Sequence, residues 1–158
     1  MKTTTISLLI IFLVVLDQIS KILISSNLTL NESLNLLPFL NFTLIHNPGI
    51  AFSIFDEGGD ISRWLLVIAV SGVLAYLFFL IYKKTPKNKL ELISLIFITS
   101  GGLGNLVDRV FLGYVVDFVH LFYQNYSFYV FNMADSYITV GIILYLCYFF
   151  FIERAKEA

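Results

Sequence analysis

The sequence has little charge. Charged residues make up 13% of the 158 residues, whereas 58% of the residues are apolar and 16% are aromatic. An ordinary soluble domain carries about 25% charged residues. The net charge of −1 at pH 7 provides no basic surface for a nucleic acid. This composition indicates an integral membrane protein surrounded by lipids, with no nucleic-acid partner.

Cysteine and histidine are also scarce. The single cysteine, Cys147, excludes an intramolecular disulfide framework and a cysteine metal site. The two histidines, His46 and His120, lie far apart and form no H-E-x-x-H motif, which argues against a zinc metalloprotease. An oxygen-rich magnesium or calcium site built on aspartates stays open as an alternative. We expect no cofactor and no metal.

Four long apolar runs are present, each close to the roughly 20 residues that a membrane-spanning helix needs. They predict helices at about 6–24, 64–82, 90–109 and 135–152. The first run follows Lys2 and has a cleaved signal peptide as its rival interpretation, but no A-x-A-like site comes after it. No internal repeat or second domain is evident. We therefore predict an all-α membrane protein with four transmembrane helices, in which residues 1–158 form a single integral membrane domain.

The basic residues indicate an orientation. Most of them fall at the N-terminus, in the second connection and at the C-terminus: Lys2, Lys83, Lys84, Lys87, Lys89, Arg154 and Lys156. The positive-inside rule then places both termini in the cytoplasm and the segments at about 25–63 and 110–134 outside. Within the first outside segment, "LNFTLIHNPGIAFSIF" mixes β-branched and aromatic residues around a turn, which predicts two or three short strands. We expect a small extracytoplasmic β-sheet element.

Four aspartates lie inside or at the edge of the predicted helices: Asp17, Asp108, Asp117 and Asp135. A carboxylate costs roughly 2.5–3.5 kcal/mol at the centre of a spanning helix, so such residues usually mark a site or a buried pair. All four lie toward the predicted outer side. A proton or ion pathway would distribute ionisable groups across the bilayer, whereas a reaction at the outer interface needs them at one level.

Local spacing suggests roles for several polar residues. Asp17 and Lys21 are four residues apart on a helix, and we expect a structural salt bridge between them. In "GGLGNLVDR", the glycines favour helix packing, and Asp108 serves as an interhelical hydrogen-bond partner. Asn105 and Arg109 share the i+4 spacing, and we interpret them as residues that orient a neighbouring carboxylate.

Asp117 and Asp135 have different surroundings. Valines and a phenylalanine flank Asp117, which should be desolvated unless a charged or hydrogen-bonding partner meets it. Asp135 opens the fourth helix, where it could simply cap the first turn. Two carboxyls about 3 Å apart share one proton, so one acts as base and the other as acid in peptide hydrolysis. The helix dipole favours charge on Asp135, which we predict to be the resting base.

Five blocks of the sequence together resemble a known family. "DQISK" (17–21), "NPGIAF" (47–52), "GGLGNLVDR" (101–109), "VVDF" (115–118) and "FNMAD" (131–135) look like the successive signature blocks of bacterial lipoprotein signal peptidase, also called signal peptidase II. The blocks follow the family's order across nearly the whole chain. Each block alone is weakly specific, whereas the five in order are highly specific.

The resemblance implies a four-helix membrane aspartyl protease of the bacterial cytoplasmic (inner) membrane. Its substrate is a diacylglyceryl-modified prolipoprotein, cut just before the lipid-bearing cysteine. The catalytic pair falls on Asp117 and Asp135. The residues implied to bind substrate or brace the site are Asn47, Gly49, Asn105, Arg109 and Asn132. Asp17 and Lys21 are implied to be structural. A pair completed by one chain needs no second subunit, so we expect a monomer.

Other functions remain as alternatives. A Ser-His-Asp hydrolase would draw on His46, His120 and Ser136, although Ser136 has no nucleophile-elbow context. A small transporter would use the carboxylates as a proton relay, but four helices lack the paired halves of inverted-repeat carriers. A lipid-binding scaffold would tolerate loss of Asp117. Gly58 and Gly59 suggest a mobile lid over the site.

Overall fold

Four long helices and a small sheet make up the structure. It is a computed structural model, and it describes residues 1–49, 60–84, 86, 88–124 and 126–154. The helices are α1 (Thr3–Asn27), α2 (Asp60–Phe79), α3 (Lys89–Phe111) and α4 (Met133–Tyr148). Short π-helical turns, Leu80–Lys84 and Phe149–Glu153, extend α2 and α4. All four helices are long and apolar enough to cross a membrane.

The helices extend a little beyond the apolar runs, and polar side chains satisfy both terminal turns of α3. The N-cap of α3 is Asn88, whose side chain accepts a hydrogen bond from the Leu90 N–H at 2.7 Å. At the C-terminal end of α3, the guanidinium of Arg63 donates to the carbonyls of Arg109 and Val110. These carbonyls have no partner within the helix, so Arg63 ties the start of α2 to the end of α3.

The interior divides into an apolar half and a polar half. The apolar cluster lies where α1 and α3 begin and α2 ends: Ile6, Ile10, Leu74, Leu77, Ile81, Leu92, Leu95 and Ile96. At the opposite end of the bundle the buried residues include acids, amides and a lysine. Many apolar side chains point outward from the spanning helices, as expected for surfaces in contact with lipid.

The sheet is antiparallel, with strands β1 (Ser33–Leu37), β2 (Leu40–Asn47), β3 (Val115–Tyr123) and β4 (Tyr126–Ser127) in the order β1-β2-β3-β4. Pairing of β2 with β3 sets Ile45 opposite Asp117. Beyond β4, Phe131 exchanges backbone hydrogen bonds with Val119 at 2.7 and 3.0 Å. This contact holds the residues before α4 against β3.

The predicted fold class is confirmed, because four candidate membrane helices accompany a small sheet. The composition of the sheet differs from the expectation. Among the described residues, only β2 falls within the stretch predicted to form strands, 40–55. The other strands come from residues 33–37 and from the connection between α3 and α4. Pairing across the two connections depends on contacts about 70 residues apart in sequence, which local patterns do not reveal.

Close packing of α3 on α4 and α1 depends on glycine. A Cβ atom at Gly101 would overlap the carbonyl oxygen of Ala134 on α4. At Gly104, a Cβ atom would lie 2.5 Å from the Oδ2 atom of Asp17 on α1. Small residues let spanning helices approach closely, and here they also bring polar groups of three helices together.

We predict that Gly101→Ala lowers the free energy of unfolding by about 1–3 kcal/mol, because the added methyl group must displace backbone. Thermal unfolding in mild detergent measures the change. Gly72→Ala on α2 is the matched control, since no atom of the residues that the structure describes lies within 4 Å of its Cβ position. That substitution should cost nothing and gain up to about 1 kcal/mol from helix propensity. Equal effects of the two substitutions would contradict the packing role of Gly101.

Candidate active site

Asp117 lies on β3, and only 2% of its surface is exposed. Each of its carboxyl oxygens accepts one side-chain hydrogen bond. The amide of Asn47, at the end of β2, donates to Oδ2 at 2.8 Å. The amide of Asn132, just before α4, donates to Oδ1 at 2.6 Å. The valines around Asp117 therefore exclude water while two amides supply the donors that water would provide.

The protonation of Asp117 differs from that of an exposed aspartate. Its pKa is raised to about 6, chiefly by burial and also by the negative charge of Asp135, against the lowering effect of the hydrogen bonds from Asn47 and Asn132 and of the Lys21 charge. Asp117 and Asp135 are thus close enough to influence each other electrostatically. A carboxyl with this pKa holds a proton at mildly acidic pH, when an ordinary aspartate has lost it.

Asp135 is the third residue of α4, and its two oxygens also accept one hydrogen bond each. The amide of Asn105 donates to Oδ1 at 2.7 Å, and the main-chain N–H of Asn132 donates to Oδ2 at 3.2 Å. The N-cap of α4 is Asn132, whose Oδ1 atom accepts from the Asp135 N–H at 2.9 Å. The predicted capping role of Asp135 is confirmed, because its side chain completes a capping box whose N-cap is Asn132. The helix begins at Met133, two residues before the predicted start.

Asn132 connects the two aspartates. Its side chain is fully buried and donates to Asp117, while its main chain and Oδ1 atom both bond to Asp135. The same amide nitrogen lies 3.1 Å from the Oδ1 atom of Asn105. One residue thus caps α4 and fixes the relative position of the two carboxyls.

A buried ion cluster lies beside the aspartates. The ammonium of Lys21, 3% exposed, contacts Asp17 at 2.8 Å and Asp108 at 3.0 Å. The predicted Asp17–Lys21 salt bridge is confirmed, whereas Asp108 as a second partner of Lys21 was not predicted. Sequence reasoning also missed Gln18, whose amide donates to both carboxylates at 3.2 and 2.9 Å and to the Gly104 carbonyl at 3.1 Å. Gln18 lies within "DQISK", so its motif was the available signal.

The two acids of the cluster also bond to the backbone next to the aspartates of the site. Asp108 Oδ2 accepts the N–H of Val116, the residue before Asp117, at 3.0 Å. Asp17 Oδ1 accepts the N–H of Ala134, the residue before Asp135, at 2.9 Å. The Ala134 N–H has no partner within its helix, so Asp17 satisfies it. The ion cluster therefore positions β3 and α4 at the two places where the candidate catalytic side chains leave the backbone.

Asn47 and Gly49 form a turn at the edge of the site. The Gly49 N–H donates to the Oδ1 atom of Asn47 at 3.0 Å, so the amide nitrogen of Asn47 is left facing Asp117. Gly49 has φ = +88°, a left-handed conformation that favours glycine. The predicted block "NPGIAF" continues into residues 50–52, which lie outside the described residues, as does the predicted lid at Gly58 and Gly59.

Arg109 lies beside the site without a hydrogen bond to either aspartate in the part of the chain that the structure describes. Its Nη1 atom donates to the Asn105 carbonyl at 3.3 Å, and its buried Nε atom has no partner among the described residues. The charges of Asp135, Asp117 and Asp108 all act on its guanidinium. Arg109 can therefore contribute positive charge and an unused donor to a bound carbonyl group.

The residues of the rival hydrolase are not assembled. The ring of His46 stacks on Tyr114 at 3.9 Å, and the Ser136 hydroxyl donates to the Asn132 carbonyl at 3.1 Å. His120 lies on the sheet, where its ring nitrogens bond to the hydroxyls of Thr43 and Ser127. Neither ring bonds to Ser136, so the geometry gives no support to a Ser-His-Asp triad.

An apolar groove opens onto Asp135. Its volume is about 520 Å³, and it runs between the chain around β4 and the outward face of α4. Its lining includes Phe128, Tyr129, Phe131 and Val140. The groove can hold an apolar chain or side chain next to the carboxyl.

Substitutions of Asn132 should separate its capping role from its amide donors. Asn132→Ser retains an oxygen that can cap α4, whereas Asn132→Ala removes it. We predict that the alanine variant is less stable than the serine variant by about 1 kcal/mol, measured by thermal unfolding in detergent. Both variants lose the donors to Asp117 and Asn105. Equal stability of the two variants would contradict the cap assignment.

Comparisons with known proteins identify the family of the chain. The profile of the family described as signal peptidase (SPase) II matches residues 9–151. The lipoprotein signal peptidase of Acinetobacter baylyi is 42% identical over 147 residues, covering 92% of this chain and 82% of the relative. The lipoprotein signal peptidase of Pseudoalteromonas translucida is 40% identical over 151 residues, covering 93% and 89%.

A solved structure is similar over nearly its whole length. It is described as a bacterial membrane enzyme determined by the in meso method at 1.9 Å resolution, and it superposes with a TM-score of 0.82 at 31% identity, covering 95% of each chain. A second bacterial membrane enzyme, determined at 2.3 Å, has a TM-score of 0.79 at 29% identity. The chain therefore belongs to the signal peptidase II family and is a bacterial membrane peptidase of the aspartic type.

Proposed function

We propose that this peptidase removes signal peptides from prolipoproteins that carry a diacylglyceryl group, and that it cuts just before the lipid-bearing cysteine. Asp117 and Asp135 activate the water that attacks the peptide bond. The observation that carries the proposal is the Asn132 junction: the buried Asn132 donates to the Asp117 carboxyl through its side-chain amide and to the Asp135 carboxyl through its main-chain N–H. Family membership and the names of the relatives support the substrate class.

The surroundings of the two carboxyls assign their roles. Asp135 lies in the first turn of α4, and its carboxyl accepts two N–H donors that fix its position. Asp117 is buried and holds a proton more tightly than an ordinary aspartate. Asp135 is therefore the base and Asp117 the acid, with one proton between them. The pair titrates as a unit, so kinetics report macroscopic values.

The proposed reaction proceeds in two steps. Asp135 takes a proton from a water molecule as the water oxygen attacks the scissile carbonyl, while Asp117 donates its proton to the carbonyl oxygen. The tetrahedral intermediate then collapses: the C–N bond breaks, the proton held by Asp135 moves to the leaving nitrogen, and Asp117 recovers its proton from the hydroxyl group. Arg109, with its unused donor, stabilises the charge that develops on the oxygen.

The substrate reaches this site from the membrane. The apolar groove beside Asp135 continues onto the outward face of α4, which suits a substrate whose reactive bond is attached to lipid. Asn47 and Gly49 bound the opposite side of Asp117 and contact the peptide backbone. We further propose that the site faces outward from the cytoplasmic (inner) membrane, that both termini are cytoplasmic, and that residues 1–158 act as one domain in a monomer.

We predict that Asp117→Asn and Asp135→Asn each lower kcat by at least about 10³-fold, because each removes one half of the acid–base pair. Cleavage of a diacylglyceryl-modified prolipoprotein is followed by mass spectrometry in mild detergent with a chelator present. The products locate the cut, and the unmodified precursor should stay intact.

The matched control for these variants is Glu32→Gln. It makes the same change of charge at an exposed residue whose carboxylate bonds only to Thr29 within the described residues. Its activity should equal that of the unsubstituted protein. Cleavage that survives both aspartate substitutions would contradict the assignment of Asp117 and Asp135 as the catalytic residues. Inhibition by the chelator would indicate a metal-dependent reaction.

The pH dependence of kcat/KM should reflect the proton on Asp117. We predict an alkaline limb near pH 6 in the free enzyme, where Asp117 loses its proton. Asn47→Ala removes a hydrogen bond that favours the charged form, so the pKa of Asp117 rises and the limb moves to higher pH. Asn35→Ala, an exposed asparagine on β1, should leave the limb in place. A limb that moves to lower pH in Asn47→Ala would contradict the assignment.

A further inference from the structure

We propose that Lys21 is a positioning residue that acts through Asn105 on Asp135. Its ammonium fixes which way the Asn105 amide faces, and this orientation makes Asn105 a hydrogen-bond donor to Asp135. The inference rests on the proposed catalytic role of Asp135. It gives Lys21 a function beyond neutralising the two acids of the ion cluster.

The hydrogen bonds around Lys21 account for all of its donors. An ammonium has three N–H groups and no acceptor. Here three oxygens surround it: Asp17 Oδ2 at 2.8 Å, Asp108 Oδ2 at 3.0 Å and Asn105 Oδ1 at 3.1 Å. Because Lys21 can only donate, the group of Asn105 that faces it must be the oxygen. The amide nitrogen of Asn105 is then directed to Asp135, where it donates at 2.7 Å.

Asn132 alone secures this orientation less well. Its amide also donates to Asn105 Oδ1, but its two N–H groups are shared among three acceptors, including Asp117 Oδ1 and the Val116 carbonyl. Lys21 has one N–H for each acceptor. Loss of Lys21 therefore removes the donor that can bond to Asn105 Oδ1 without giving up another acceptor, and leaves only the shared donor of Asn132.

A reversed Asn105 amide would disable the base. Its oxygen would then face the Asp135 carboxylate, placing two acceptors against each other, and its nitrogen would face the ammonium and the Asn132 amide. Neither contact is a hydrogen bond. Asp135 would lose the donor that holds its Oδ1 atom in place, so the geometry of proton abstraction would be lost even though the fold remained.

A double-mutant cycle tests whether Lys21 acts on Asp135 through Asn105. It compares Lys21→Met, Asn105→Ala and the double variant, all in an Asp108→Asn background that avoids two unpaired buried carboxylates when the lysine is removed. Asp17 keeps donors from Ala134 and Gln18 in this background. Values of kcat and KM are measured on a lipid-modified prolipoprotein, and thermal unfolding establishes that each variant is folded.

We expect each single substitution to lower kcat by about 30-fold or more, with KM changed less than about 3-fold, because neither residue needs to touch substrate for this effect. The double variant should have a kcat within about 3-fold of Asn105→Ala, since Lys21 acts through Asn105. Losses that multiply, or a folded Lys21→Met variant that keeps kcat within 3-fold, would overturn the proposal.

Asn105→Asp provides a second test if the lysine variants do not fold. The aspartate retains an acceptor for Lys21 but offers only oxygen to Asp135 when ionised, so it mimics the reversed amide. We expect a folded protein with kcat lowered by about 30-fold or more. Full activity of Asn105→Asp would overturn the proposal. Activity that survives Asp135→Asn in the same assay would instead contradict the proposed function.

Discussion

The architecture of the site depends on a lysine ammonium held between two buried carboxylates. Such a buried ion cluster contributes little net stability, since taking three charges out of water costs about as much as their attraction returns. Its value here is geometric. Asp108 bonds to the backbone just before Asp117, and Asp17 bonds to the backbone just before Asp135. The Lys21 cluster thus fixes the separation of two chain segments that are distant in sequence.

The division of the interior follows from this arrangement. Large apolar side chains fill the bundle at the end away from the site, where nothing but packing is required. Toward the site, glycines on α3 allow α1 and α4 to approach so closely that their polar groups meet. The β2–β3 pairing then brings Asn47 to Asp117. Every oxygen of the two candidate catalytic carboxyls receives an N–H, so neither carboxyl is left unsatisfied.

Local patterns in the sequence predicted much of this structure. Apolar runs located four helices, and the i+4 spacing predicted the Asp17–Lys21 pair. What the sequence did not reveal was non-local. The bond between Asp108 and Lys21, the β2–β3 register and the Asn132 junction each join segments that only the folded chain brings together. Asp135 does cap α4 as predicted, but Asn132 was missed as the N-cap, because Asn and Asp both suit a first turn and only the backbone geometry shows which residue stands at the N-cap.

The central claim is that Asp117 holds the proton that the pair shares. Infrared spectroscopy of the carboxyl region, recorded as the pH is raised from about 5 to 8, measures this proton directly. The unsubstituted protein should show a protonated carboxyl that titrates near pH 6. That titrating component should be absent from Asp117→Asn. The same component persisting in Asp117→Asn and disappearing from Asp135→Asn would contradict the account, because Asp135 would then hold the proton and the roles of acid and base would be exchanged.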